Sequence, residues 1–193
     1  MNILLLHAHP NPESYNTALA RAARGALEAR GHAVDWCDLY AEKFDPVLTR
    51  AERLCYHDPA ANRAGVETHV ARLERAEGLV VVAPVWNFGP PAILKGYYDR
   101  VFLPGVSFEF VDGRVRGALR NVKRLAVVAT YGAHRWRAVL AGDPPRRFAT
   151  RVLRAVMGGA SPVDYHALYD MNRVTAPERA AFLARVEAGM ARF

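Results

Sequence analysis

The chain has 193 residues, of which 51% are hydrophobic, so it can bury a sizeable core and is predicted to form one domain over residues 1–193. Its 26 basic and 19 acidic residues give a net charge of +7, but arginine is spread along the chain, which favours a solvated basic surface or a site for phosphorylated small molecules over nucleic-acid binding. No signal peptide or membrane-spanning stretch is expected, and two cysteines without metal-binding spacing favour the reducing cytoplasm.

The chain begins with a predicted buried strand over Asn2–His9, followed by a polar loop and a helix from about Tyr15 to Arg30. A helix N-terminus offers unpaired backbone N–H groups to an anion. Ser14 is placed either to cap this helix or to contact a phosphate, and both alternatives stay open. The chain has neither GxGxxG nor GxxxxGK[ST], which disfavours ATP and a dinucleotide bound in the Rossmann manner.

A second strand is predicted over Val34–Leu39, then a short helix capped by Thr49 and a longer helix over about 66–76. The run Leu79–Trp86 is typical of a central parallel strand buried on both faces, and a helix over Ala92–Phe102 follows it. Between them, Trp86 and Phe88 place two aromatic side chains in a loop. They indicate either a flat ligand or an ordinary hydrophobic patch.

The second half alternates strands and helices again. Residues 106–116 contain Asp112-Gly113, which predicts a hairpin excursion. A strand over Arg124–Thr130, a helix through Met157, a strand over Ser161–Leu168 and a final helix opening at Pro177 complete the chain.

This alternation predicts an α/β fold, a doubly wound sheet of five parallel strands in the order 2-1-3-4-5 with helices on both faces. Three loops then meet at one carboxyl edge: the first loop (His9–Asn16), the second loop (Pro84–Pro91) and the third loop (Thr130–Trp136). Such an edge suits a flavin, with its phosphate at the helix N-terminus and its ring between the other two loops.

The chain resembles the flavodoxin-like NAD(P)H:quinone reductase family, which includes azoreductases. The segments that carry the resemblance are His7–Pro10 with Ser14–Asn16, Asp38–Tyr40 with Phe44–Pro46, Pro84–Gly96 and Thr130–Gly132. The resemblance implies a flavin-dependent oxidoreductase that passes a hydride equivalent from NAD(P)H, through flavin N5, to a quinone, azo or nitro acceptor. The alternative that it implies is a flavoprotein subunit regulating a membrane transporter such as a potassium-efflux system, bound only peripherally to the membrane.

The resemblance also assigns binding roles. It implies that the flavin phosphate is held by His9, Ser14, Tyr15 and Asn16. It implies that the ring is bound by Pro84, Val85, Trp86, Asn87, Phe88 and Gly89, and its pyrimidine side by Thr130, Tyr131, Gly132 and Ala133. Family members often have two glycines where this chain has Gly132-Ala133. Tyr131 and His134 are the candidates for the family's hydrogen-bonding catalytic helpers.

The expected cofactor is FMN, with FAD as the alternative, and NAD(P)H is the expected co-substrate. No metal ligand set is expected, because His7 and His9 have no cysteine or acidic residue nearby in the sequence. A homodimer is predicted, because relatives pair through the central helix and hairpin. The aromatic residues expected to supply the surface for this pairing are Tyr97, Tyr98, Phe102, Phe108 and Phe110.

Overall fold

A computed structural model describes residues 1–193 and contains a five-stranded parallel sheet. Its strands lie in the order β2-β1-β3-β6-β7, which is 2-1-3-4-5 by position in the sheet, so the predicted topology is confirmed. A separate two-stranded sheet holds the other two strands. The strands are β1 (Asn2–His7), β2 (Ala33–Asp38), β3 (Gly78–Val85), β4 (Phe108–Val111), β5 (Arg114–Gly117), β6 (Arg124–Tyr131) and β7 (Val163–Leu168).

Helices connect the strands and cover both faces of the sheet. Short helices begin at side-chain caps where the sequence offers them, as at Thr49, whose hydroxyl accepts the Glu52 N–H in a capping box. The helices are α1 (Tyr15–Ala29), α2 (Arg50–Cys55), α3 (Glu67–Arg75), α4 (Ala92–Val101), α5 (Arg135–Leu140), α6 (Pro144–Arg147), a π-helical segment (Phe148–Leu153), α7 (Arg154–Val156) and α8 (Ala176–Met190).

The central strand β3 is buried on both faces, as its unbroken apolar run predicts. Alternate residues pack into two cores. Val80 and Val82 contribute to the core covered by α1 and α8, whereas Leu79 and Val81 contribute to the core covered by α3 and α4. The sheet is therefore a rigid support for the loops at its carboxyl edge.

The hairpin of β4 and β5 turns at Asp112 and Gly113, which have φ angles of 51° and 73°. Two consecutive residues with positive φ are those of a type I′ turn, which the Asp-Gly pair favours. The hairpin packs against α7, where a Cβ on Gly117 would lie 2.2 Å from the Ala155 carbonyl oxygen. The predicted excursion is thus a packed element of the fold.

Two local predictions differ from the structure. The stretch expected to stay a loop through Trp136 turns into α5 from Arg135 onward. The single helix expected through Met157 is divided by the π-helical segment Phe148–Leu153.

Three of the aromatic residues expected on the dimer surface are instead buried within the chain. Tyr97 is completely buried, and Tyr98 and Phe102 are 9% and 8% exposed, because α4 turns them into the core beside Phe44 and Phe148. Of the five, Phe110 is the one that is largely exposed, at 56%. No helix is both long and apolar enough to cross a bilayer.

Candidate functional site

The three predicted loops meet at the carboxyl ends of β1, β3 and β6. The Asn16 side-chain amide donates to the Thr130 hydroxyl oxygen over 3.3 Å and so joins the first loop to the third. The His9 ring lies edge-on to the Trp86 ring, with 6.1 Å between centroids, and so joins the first loop to the second. The edge therefore forms one continuous site.

The first loop presents hydrogen-bond donors at the N-terminus of α1. Ser14 caps the helix, since its hydroxyl oxygen accepts the Thr17 N–H over 3.1 Å. The N–H groups of Tyr15 and Asn16 have no acceptor within the chain. His9 Nδ1 lies 3.1 Å from both the N–H and the carbonyl oxygen of Asn11, so Nδ1 is used within the loop and Nε2 is the ring nitrogen left for a ligand. This set of donors, at the positive end of a helix dipole, suits an anion.

His7 supports the first loop from inside the sheet. Its Nδ1 lies 3.2 Å from the Val82 carbonyl oxygen and its Nε2 lies 3.0 Å from the Thr17 hydroxyl. Burial lowers the pKa of His7, so the neutral ring donates through Nδ1 and accepts through Nε2. Both nitrogens are used within the protein, which gives His7 a positioning role.

The second loop is shaped by its backbone. Trp86 and Gly89 exchange two backbone hydrogen bonds, of 3.0 and 2.8 Å, around a two-residue turn. Asn87 and Phe88 both have positive φ angles, 48° and 58°, which side-chain-bearing residues rarely adopt. The turn leaves the Trp86 side chain 42% exposed beside His9, whereas Phe88 packs against the small core around Tyr131.

The third loop is braced from below. Tyr131 is 1% exposed, and its hydroxyl donates to Asp143 Oδ1 over 2.7 Å and accepts from the Tyr165 hydroxyl over 2.5 Å. Two buried partners use the Tyr131 hydroxyl, so the catalytic role predicted for Tyr131 stays a prediction and requires the hydroxyl to leave one of them. Burial also raises the pKa of Tyr131, so the hydroxyl stays protonated.

His134 is held between two charged side chains. Its Nδ1 lies 3.1 Å from Asp170 Oδ2, and its Nε2 lies 3.2 Å from Arg173 Nη1. With the proton on Nδ1, the ring donates to the carboxylate and accepts from the guanidinium. A catalytic role for His134 stays a prediction, and it requires the ring to leave one of these partners.

The sequence profile of the flavodoxin-like fold family matches residues 1–190. The chain belongs to this family. NAD(P)H dehydrogenase [quinone] 1 of Cavia porcellus is 31% identical over 146 residues, which cover 67% of this chain and 53% of the relative. An FMN-dependent NADH:quinone oxidoreductase of Lachnoclostridium phytofermentans is 28% identical over 145 residues, covering 72% of this chain and 69% of that protein.

Solved structures agree with the fold. NAD(P)H:quinone oxidoreductase from Methanothermobacter marburgensis superposes with a TM-score of 0.85 and 22% identity, covering 99% of this chain and 98% of that one. At this identity the likeness concerns the architecture alone. The flavodoxin-like chain spans about half the length of the Cavia porcellus relative.

In this flavodoxin-like chain, the predicted binding residues fall into two groups. Those that lie in the three loops at the strand ends are His9, Tyr15, Asn16, Trp86, Asn87, Gly89, Gly132 and Ala133, although the Tyr15 side chain turns away to donate to the Arg179 carbonyl oxygen of α8. Those that lie beneath it and shape it are Ser14 as a helix cap, Pro84 and Val85 at the end of β3, Phe88, Thr130 and Tyr131. Their roles in binding stay predictions.

Sequence reasoning missed the residues that brace the third loop. Asp143 has a positive φ of 44° and receives the Tyr131 hydroxyl, and Asp170 donates its N–H to the Ala133 carbonyl oxygen. The Gly142-Asp143-Pro144 turn was a visible signal for an unusual backbone. Nothing in the spacing connects it to Tyr131.

An apolar cavity of about 220 Å³ lies below the second loop, between α4 and the π-helical segment. It shares Pro84 and Val85 with the predicted ring-binding residues and includes Tyr98 and Tyr165 in its wall. The surface of the cavity is almost entirely apolar, and its one charged residue, Lys95, is paired with Asp99. The cavity therefore lacks the free donors that a phosphate requires. The polar groups for an anion are those of the first loop.

Proposed function

We propose that the chain binds FMN at the carboxyl edge and is a flavin-dependent oxidoreductase that oxidises NAD(P)H and reduces a quinone or a related azo or nitro compound. The observation that carries the proposal is the meeting of a helix N-terminus with unpaired N–H groups and two further loops in one site. The names of the relatives support the same activity.

The residues of the first loop fit a flavin phosphate. The Tyr15 and Asn16 N–H groups are donors to the oxygens of a phosphate dianion, and His9 Nε2 adds a third donor when it carries a proton. The buried Asn16 side-chain oxygen has no hydrogen-bond partner in the chain. Since buried polar atoms are rarely left unpaired, this atom supports a ligand with a hydroxyl or amide donor at the same place.

The second and third loops fit the flat ring. When bound, the flavin supplies the chemistry, since its N5 accepts a hydride and returns the electron pair to the acceptor. The protein binds and orients the ring: Trp86 borders it, and the Gly132-Ala133 backbone lies across from the second loop. The braces at Tyr131 and His134 hold that backbone in place, which keeps its polar groups oriented before the ligand arrives.

FMN is preferred to FAD because the first loop supplies donors for one phosphate and the similar Lachnoclostridium phytofermentans protein is named as FMN-dependent. FAD stays the alternative. We also propose that the protein is located in the cytoplasm.

We also propose a homodimer. The aromatic residues of α4 are buried and so do not form the interface. A different surface supports the dimer: a group of apolar side chains on α5, next to the third loop, is exposed to water in the monomer. These side chains are Trp136, Val139 and Leu140. Light scattering at several protein concentrations tests this, and a concentration-independent monomer would refute it.

The function is tested on the purified full-length protein by absorption spectroscopy, extraction of the cofactor and measurement of its mass. We expect a yellow protein that releases FMN and is bleached in one two-electron step by NAD(P)H without oxygen. A colourless protein that neither FMN nor FAD can reconstitute contradicts the proposal. A flavoprotein that NAD(P)H reduces no faster than free flavin would instead favour the transporter-regulating alternative.

A further inference from the structure

Three side chains with metal-binding atoms converge beside the edge strand β2, away from the three loops. Cys37 lies on β2, Glu42 lies in the loop that follows it, and His69 lies on α3. Cys37 Sγ is 3.7 Å from Glu42 Oε2 and 3.9 Å from His69 Nδ1. All three ligand atoms lie within 4.8 Å of one another.

We propose that Cys37, Glu42 and His69 bind one divalent ion of the zinc class, with water as the fourth ligand. With Zn–S and Zn–N bonds of about 2.3 and 2.0 Å at a tetrahedral angle, ligand atoms lie about 3.5 Å apart. The observed separations from Cys37 Sγ exceed this by a few tenths of an ångström. The separation between Glu42 and His69 is at most 4.8 Å, so rotation of the Glu42 side chain towards His69 is the movement that closes the site.

The His69 ring is already oriented. It stands edge-on to Phe44 and Tyr97, with centroid distances of 4.9 and 5.5 Å. Its Nδ1 faces the cluster and lies 3.9 Å from Cys37 Sγ. A ring fixed in this way loses little freedom when it binds an ion.

Glu42 is held by Arg72, whose Nη1 lies 2.9 Å from Oε1 and 2.8 Å from Oε2. Glu42 can therefore keep Oε1 on Arg72 and turn Oε2 to the ion. Arg72 itself is fixed by Asp35, which accepts from Nη2 over 2.6 Å. Partners that orient a metal ligand in this way are a regular part of metal sites.

The local charge favours a cation. With a neutral thiol, the Asp35 and Glu42 carboxylates exceed the Arg72 guanidinium by one negative charge. When the ion binds, the S–H proton leaves to solvent and a metal–thiolate bond forms, which brings the cluster of carboxylates, guanidinium, thiolate and ion to neutrality.

An ion can reach the site although Cys37 is buried. The Glu42 side chain is 32% exposed and forms the solvent side of the cluster. A bound ion would connect β2 to α3 and, by binding the folded state, raise its stability. The site shares no residue with the flavin edge, so it is tested independently of the proposed activity.

The test uses the purified 193-residue chain, with or without bound flavin, after treatment with a chelator. We expect Zn²⁺ titrations by calorimetry to give one ion per chain, and titrations in two buffers to show release of about one proton. Cd²⁺ should produce one thiolate-to-metal charge-transfer band in the difference absorption spectrum. Absence of saturable binding at one ion per chain would overturn the proposal.

The chain offers a matched control, because its only other cysteine, Cys55, is exposed at the end of α2. Cys55→Ser should keep the band and the affinity. Cys37→Ser should abolish the band and weaken binding by more than the roughly 10–100-fold that loss of an outer partner costs. A band that persists in Cys37→Ser contradicts the assignment. Should that variant fail to fold, Glu42→Gln decides: weaker binding supports the site, and unchanged binding overturns it.

Discussion

The first and second loops occupy the same edge but are built by different means. The first loop is held by side chains: Ser14 caps α1, and His7 and Thr17 hydrogen-bond below it. The second loop is held by its backbone, in a turn that forces Asn87 and Phe88 to positive φ angles. One loop therefore offers donors to a charged group, and the other offers a shaped surface to a ring.

The difference shows how one fold provides two kinds of recognition. The side-chain cap fixes the first turn of α1, so the unpaired N–H groups of the helix point in one fixed direction. Such an arrangement suits the binding of a phosphate. A turn with positive φ angles exposes Trp86 without any polar side chain to hold it. Variants that disturb the side-chain contacts of the first loop or the backbone turn of the second loop test this comparison separately.

The largest effect is expected where the second loop joins its helix. A Cβ on Gly96 of α4 would lie 2.2 Å from the Pro46 carbonyl oxygen, a backbone atom that cannot easily move. Gly96→Ala should therefore lower the free energy of unfolding by about 3 kcal/mol or more, measured by urea denaturation.

Gly25, on the helix that follows the first loop, is the matched control. A Cβ there meets nothing within 4 Å. Gly25→Ala should raise the free energy of unfolding by about 0.5–1 kcal/mol, because alanine has the higher helix propensity. Equal effects of the two substitutions would contradict the role assigned to Gly96.

The next effect concerns the link between the first and third loops. Asn16→Ala and Thr130→Val both remove the hydrogen bond between these side chains. Only Asn16 also has an unpaired side-chain oxygen for a ligand donor, so Asn16→Ala should cost flavin binding about 1–3 kcal/mol, a roughly fivefold to hundredfold rise in the dissociation constant. Fluorescence titration should show similar losses for FMN and riboflavin, because the variant keeps the backbone N–H of residue 16 that faces the phosphate.

Thr130→Val should weaken the binding of both flavins less than Asn16→Ala does, because it removes only the hydrogen bond between the two loops. A loss confined to FMN in Thr130→Val would mean that the phosphate lies nearer the third loop.

A smaller effect is expected in the turn of the second loop. Asn87 is exposed and has a φ of 48°, a conformation in which β-branched residues are strained. Asn87→Val should lower the free energy of unfolding by about 1–2 kcal/mol. Asn87→Gly should leave the stability measured by thermal denaturation nearly unchanged. If Asn87→Val were as stable as Asn87→Gly, the turn would have to relax to another conformation.

The smallest effect is expected at the cap of α1. Ser14→Ala should lower the free energy of unfolding by about 1 kcal/mol, because the Thr17 N–H loses its acceptor. The Ser14 hydroxyl lies 3.0 Å from the Thr17 hydroxyl and is engaged there. We therefore expect little change in the preference for FMN over riboflavin, and a clear loss of that preference would assign the phosphate contact to Ser14.

The sequence predicted the sheet and its three edge loops because buried parallel strands have unbroken apolar runs, as in β3. It could not predict the positive φ of Phe88, since the residue type does not require it. It also placed Tyr97 on the surface, because helical spacing does not say which side of α4 faces the core. The contact of Tyr131 with Asp143 depends on α5, which begins where the sequence predicts a loop.

The central claim is that the N-terminus of α1 holds the phosphate of a flavin whose ring lies between the second and third loops. The most direct measurement compares the dissociation constants of the unmodified apoprotein for FMN and for riboflavin, which lacks the phosphate. The account predicts that FMN binds at least about tenfold more tightly, because charge-assisted hydrogen bonds to phosphate contribute about 1.5–3 kcal/mol. Equal affinities for FMN and riboflavin would contradict it.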